Sequence, residues 1–186
     1  MEPLIILIGI NLLFFVAVHI RPDLLNYLAL TPAEVWRQPW QIITSVFTHY
    51  DVFHIFANML TLYFFGQAIL QMQGERRFWL IYLLGGIAGS LVFIALAPLT
   101  GNQYTSAIGA SGAVFALGGA LAVLYPQMRV MIFPIPAPMP IWIAVVGSFV
   151  VLSFIPGIAW QAHLGGLAFG AAAGYVFKKN QFRRWR

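Results

Sequence analysis

The chain has 186 residues, 61% of them hydrophobic and only 8% charged, with a mean hydropathy of +0.84. A soluble domain of that size needs far more charge to cover its surface, and the absence of cysteine excludes a disulfide framework, thiolate metal sites and a cysteine nucleophile. The net charge of +5 is scattered at the ends of apolar runs rather than gathered on a face, so no nucleic-acid partner is expected.

A window of about 20 residues predicts six helical spans, and with them an all-α polytopic membrane protein whose whole length, 1–186, is one domain. The first span, Pro3 to Ile20, follows no basic leader and has no small-residue cleavage motif, so it reads as retained rather than as a signal peptide. His19, at its end, reads as an interfacial residue without chemistry. After an outer loop over 21–48 come Val52 to Gln71 and Phe78 to Pro98. The stretch from Pro98 to Ala110 is polar but uncharged and is expected as irregular backbone.

The fourth span, Ser111 to Tyr125, is short. It makes roughly 22 Å of helix at about 1.5 Å per residue, against a hydrocarbon core of about 30 Å. With its carboxyl end at the inner surface, its amino end stops below the outer one. Irregular backbone at that depth is tolerated only where protein buries it or water reaches it, which places Ser111 at the floor of a submerged, outward-facing cavity. Pro140 to Pro156 and Ala162 to Phe177 complete the set, with no internal repeat and no linker long enough to divide the chain.

Cytoplasmic loops near span ends accumulate Lys and Arg. With both termini inside, the inner segments hold Arg76, Arg77, Arg129, Lys178, Lys179, Arg183, Arg184 and Arg186, and the outer ones only Arg21 and Arg37. Trp36, Trp40 and Trp160 then lie near the outer interface and Trp79, Trp142 and Trp185 near the inner one, as an aromatic belt requires.

Ser111 stands between Gly109 and Gly112 at the mouth of the fourth span. Serine is a common N-cap and the glycines suit tight helix packing; they equally suit a nucleophile, since they let backbone approach a substrate and expose N–H donors at a positive helix end. His163 shifts the balance. It stands beside a Gly166-x-x-x-Gly170 seam, and small residues four apart let membrane helices approach closely, which brings the imidazole within reach of the Ser111 hydroxyl. Hydroxyl and imidazole together are the minimum parts of an activated serine. On the second span His54 and Asn58 share one helical face, and both can donate to a developing oxyanion; the bland reading is polar glue between helices. A metal site from His49, Asp51, His54 and His163 is a weaker alternative, because no H-E-x-x-H pair is present and the step from His49 to His54 would splay their rings apart on a helix.

Taken together, the six-span layout, Gly109-Ala110-Ser111-Gly112 opening the fourth span, Ala162-His163 with Gly166 and Gly170 in the sixth, and His49, His54 and Asn58 in the form His-x4-His-x3-Asn resemble the rhomboid family of intramembrane serine proteases. The resemblance covers essentially the whole chain as a minimal core. It implies a rhomboid-like bundle with a short central fourth helix, Ser111 as nucleophile, His163 as general base, and His54, Asn58 and the Ser111 backbone N–H as oxyanion donors. It also implies Phe115 as the aromatic on which the His163 ring stacks, His49 as a structural residue, and an outer loop around Trp36 and Trp40 lying partly in the membrane. No metal or cofactor is implied. The implied partners are a transmembrane protein substrate and the bilayer, in a prokaryotic cell membrane.

Two positions depart from the family pattern: Trp40-Gln41 stands where Trp-Arg is common, and Leu70 where a glutamate is. Both concern fold support. Glu2, Asp23, Glu34, Asp51 and Glu75 all fall at span ends or in loops, so the catalytic set is a dyad without a third carboxylate. The expected substrate is a transmembrane helix that unwinds near its outer end, since a peptide bond in a regular helix is shielded by its own hydrogen bonds. The rival readings are a small transporter or channel, for which the chain lacks paired broken helices in two repeats, and a non-catalytic rhomboid-like protein that binds clients, against which both Ser111 and His163 argue.

Overall fold

The computed structural model describes residues 2–131, 135 and 137–183, the last three without their side chains. Arg184, Trp185, Arg186 and the side chain of Arg183, assigned above to the inner surface, lie outside the described residues.

The chain runs through α1 (Glu2–Ile20), two short helical turns in the outer loop, α2 (Leu25–Leu28) and α3 (Gln41–Thr44), then α4 (Val52–Gln73), α5 (Glu75–Thr100) and α6 (Ser111–Leu124). A two-stranded antiparallel ribbon, β1 (Arg129–Val130) with β2 (Met139–Pro140), leads to α7 (Ile141–Ser153) and α8 (Trp160–Arg183). Among the described residues three helices, α1, α4 and α5, are long and apolar enough to cross a membrane. α6 and α7 are shorter, at 14 and 13 residues. The short α6 matches expectation. α7 ends before the predicted Pro156, and α8 overruns Phe177 because helical hydrogen bonding continues into the polar Lys178-Lys179-Asn180 tail. Likewise α5 passes Pro98 by two residues, closing where Gly101 turns left-handed (φ 75°) and its N–H reaches the Ala97 carbonyl.

α6 occupies the centre, buried from Gly112 through Leu121 except at Phe115, and small residues decide how its neighbours meet it. A Cβ on Gly166 would overlap the Gly112 carbonyl, one on Gly170 the Ala116 carbonyl, and one on Gly85 the Ala116 side chain. Thus α6 touches α8 backbone to backbone and α5 nearly so. In lipid such packing, rather than apolar burial, drives helix association.

The outer loop is tied down by its own polar groups. The Leu30 and Ala107 backbones bridge, the Trp40 indole donates to the Tyr27 carbonyl (2.9 Å), and Thr44 Oγ1 donates to the Leu28 carbonyl (2.9 Å). Gln41, fully buried, uses both ends of its amide: Oε1 accepts from the Thr31 N–H (3.0 Å) and Nε2 donates to the Asn26 carbonyl (3.2 Å). An amide therefore anchors the loop where the family pattern has arginine. At the opposite end Leu70 packs apolar against the core, and the polar fastening comes from one turn further on: Gln73 donates to the Tyr125 hydroxyl and accepts from Arg77.

Candidate active site

The segment 101–110 is non-helical, as the sequence suggested, and it is held by the outer loop and the residues that lead into α4. The Gly109 N–H donates to the Ser45 carbonyl (2.9 Å) and the Ala110 N–H to His49 Nε2 (3.3 Å). Gly109 adopts φ 118°, a conformation that disfavours any side chain, and a Cβ there would stand 2.6 Å from His54 Nε2 and 3.8 Å from Ser111 Oγ. His54 and Ser111 thus border one small space above Gly109.

Ala110 is the N-cap of α6, with no side-chain capping bond, and Ser111 is its first helical residue. The serine hydroxyl is therefore not spent on capping. It lies 2.8 Å from His163 Nε2, across the α6–α8 contact created by Gly112 and Gly166. The Ser111 N–H, at the first helical position, has no partner within the helix. His163 is 5% exposed, and its ring packs on Phe115 with centroids 4.7 Å apart and planes at 32°. Its Nδ1 is buried without a hydrogen-bond partner among the described residues, so packing rather than a carboxylate orients the ring.

Asp51 caps α4, accepting the His54 N–H at 2.8 Å. Asn58 is buried, and its Nδ2 donates to the His54 carbonyl (2.9 Å), which leaves the second amide hydrogen for another acceptor. The sequence reading of His49 and His54 needs one correction: His49 precedes α4 instead of lying on it, and the two rings meet edge to face with centroids 4.9 Å apart. Burial, and then the neighbouring His54, push His49 down to about 3, so it stays neutral and accepts the Ala110 N–H, securing the backbone before Ser111. His19 is exposed and bonded to the Phe15 carbonyl (2.8 Å), away from this cluster.

Residues 36–180 match the family model of the rhomboid domain, a span that contains Ser111, His163, His54 and Asn58. The chain belongs to the rhomboid family. Among similar proteins, "Rhomboid protein 1, mitochondrial" of Saccharomyces cerevisiae is 32% identical over 144 residues, covering 74% of this chain and 42% of the yeast protein. "Rhomboid protease GluP" of Bacillus subtilis is 35% identical over 146 residues, 72% of this chain and 26% of that one. "Presenilin-associated rhomboid-like protein, mitochondrial" of Bos taurus is 30% identical over 118 residues, 63% and 30% respectively. The chain spans less than half the length of the curated relatives it matches. Rhomboid membership and the three long apolar helices make it an integral membrane protein.

One buried polar residue at the start of α8 carries no role in the sequence-based expectations. Gln161, fully buried two positions before His163, donates to Thr100 Oγ1 (3.0 Å) and ties the start of α8 to the end of α5. Its only sequence signal was a lone amide at the start of an apolar run, which suits an interfacial residue equally well.

Proposed function

We propose that this rhomboid-family protein is an intramembrane serine endopeptidase with Ser111 as nucleophile and His163 as general base. The observation that supports this most is the 2.8 Å approach of Ser111 Oγ to His163 Nε2 at the amino end of a buried helix. In this reading Nε2 takes the hydroxyl proton as Oγ bonds to a peptide carbonyl carbon. The resulting oxyanion is met by the Ser111 N–H, His54 and Asn58. Collapse breaks the C–N bond, and the leaving amine takes the proton from Nε2. Water then repeats the sequence on the acyl-enzyme and restores the serine. Phe115 holds the imidazole, Gly109 leaves the space the substrate backbone occupies, and Gly112, Gly166 and Gly170 set the distance across the dyad, with His49 holding the strand into α6.

The substrate we infer is a transmembrane helix of another membrane protein, cleaved near its outer end where it can unwind. The same reading places the protein as one six-span unit over 1–186 with both termini cytoplasmic. Arg76 and Arg77 at the start of α5, Arg129 in β1 and Lys178 and Lys179 near the end of α8 support that orientation. A prokaryotic cell membrane fits the Bacillus relative; the yeast and bovine relatives are mitochondrial by name.

Two expected results test the roles. If His54 and Asn58 hold the oxyanion, His54→Ala and Asn58→Ala each lower turnover by about 10²–10³ with binding of a single-span substrate nearly unchanged, since these bonds strengthen mainly in the transition state. Variants that only melt earlier, with turnover per folded molecule intact, would reduce both residues to interhelical glue. Second, only neutral His163 accepts the proton, so turnover rises with pH from acid towards neutrality; the unperturbed imidazole value is about 6.5. A flat profile of kcat against pH in protein shown to remain folded would remove His163 from the general-base role.

A further inference from the structure

Far from Ser111, the surface between α5 and α8 holds a groove of about 320 Å³ whose lining is wholly apolar, including Leu80, Ile81 and Leu84 of α5 and Phe169, Ala172 and Phe177 of α8. On α5 the lining positions share one helical face, and Arg77 stands on that face one turn earlier. Its guanidinium carbon lies 4.6 Å from the ring centroid of Phe177, the aromatic that ends the groove on α8. Arg77 gives one bond to the Gln73 side chain, but a guanidinium has five donors. Arg76, one turn before Leu80, is exposed beside it. Of the other charges at this end, Glu75 accepts the Trp79 indole N–H (3.1 Å), Lys178 is tied to the Val123 carbonyl (3.2 Å), and Lys179 is exposed.

The dimensions select the occupant. From Phe169 to Phe177 the groove runs about 12 Å along α8, at about 1.5 Å per residue. Its lining offers no polar atom, and a narrow apolar trough of about 320 Å³ suits a single hydrocarbon chain. The cationic mouth requires the opposite charge at that chain's end. We propose that the groove binds an anionic phospholipid, one acyl chain lying between α5 and α8 and the phosphate meeting Arg77 and Arg76. Bidentate donation suits phosphate oxygens to arginine, and the cation already seated on Phe177 is held in place for it. The site stands independently of the proteolytic reading.

Native mass spectrometry of the full chain in neutral detergent, with phosphatidylglycerol and phosphatidylcholine of matched chains in equal amounts, tests the proposal. Wild type should retain phosphatidylglycerol on the order of 25-fold better, about fivefold for each arginine. Arg76→Gln with Arg77→Gln should abolish the preference, and Arg76→Gln alone, at an exposed position, should remove about fivefold of it without disturbing the Gln73 and Phe177 contacts. Ala172→Phe, also at an exposed position, fills the trough and should remove retention of phosphatidylglycerol, while lysophosphatidylglycerol, with its single chain, should be retained by wild type. Equal retention of the two lipids by wild type overturns the proposal. So does undiminished retention in Ala172→Phe, or an Ala172→Phe effect confined to a dimer–monomer shift, which would assign the face to a second copy.

Discussion

Ser111→Ala should abolish cleavage of a single-span substrate, lowering turnover by on the order of 10⁴ or more, as loss of a nucleophile does when the other groups act only through it. Binding of that substrate should persist, because the change removes one hydroxyl and leaves the glycine-lined space and the His54 and Asn58 donors in place. The folding cost should be small. Among the described residues Ser111 Oγ makes one hydrogen bond, to His163, so the loss is about 1 kcal/mol and a modest fall in melting temperature. A fluorophosphonate probe should label the wild type and not the variant. Cleavage by purified Ser111→Ala at a comparable rate would end the serine mechanism. Wild type that binds clients, resists the probe and cleaves nothing would place the chain with non-catalytic rhomboid-like proteins instead.

Much of this site is legible in the sequence because membrane depth makes polar residues conspicuous. Ser111 and His163 stand out from runs of Ala, Gly, Val and Leu, and the Gly166-x-x-x-Gly170 spacing says that their helices touch. The shortness of α6 and the irregular segment before it were also readable, from the polar uncharged run that ends at Ala110 and from Pro126 closing the apolar run. What the sequence could not display were contacts whose partners lie far apart and whose residue types fit several roles. The His49 imidazole supports the Ala110 N–H from 61 residues away, and its side-chain type gives no hint of whether it serves metal, catalysis or backbone. Gln41 reads in the sequence as a missing arginine, whereas its amide sits between Asn26 and Thr31; Leu70 reads as a missing glutamate, whereas Gln73 fastens Tyr125 and Arg77. Gln161 was hidden for the same reason. Helix ends also shifted, because capping by Gly101 and continuation into the Lys178 tail are decided by hydrogen bonds and not by hydropathy.

The seam that creates the dyad should be its most sensitive structural feature, and Gly166→Ala should show it. The added methyl would overlap the Gly112 carbonyl oxygen, with the carbonyl carbon only 2.7 Å and the Gly112 Cα 3.1 Å away. All three are backbone atoms, so no rotamer change relieves the clash; α6 and α8 must separate. Overpacking of a close-packed interior costs about 1–3 kcal/mol, and an unyielding backbone neighbour puts this site at or above the upper end. Separation also acts on chemistry, since Gly112 follows Ser111 directly and Gly166 lies one turn after His163. A displacement of about 1 Å at the reacting groups costs roughly 10² in rate, so turnover should fall at least that far even in molecules that remain folded. Gly147→Ala supplies the contrast: a Cβ on Gly147 meets nothing within 4 Å among the described residues, and replacing glycine inside a helix by alanine gains about 0.5–1 kcal/mol. Thermal melting, turnover and fluorophosphonate labelling for the two variants in one detergent should therefore diverge, Gly166→Ala losing all three and Gly147→Ala keeping activity with equal or higher stability. If Gly166→Ala melted and turned over like wild type, the backbone contact between α6 and α8 would not be what sets the distance from Ser111 to His163.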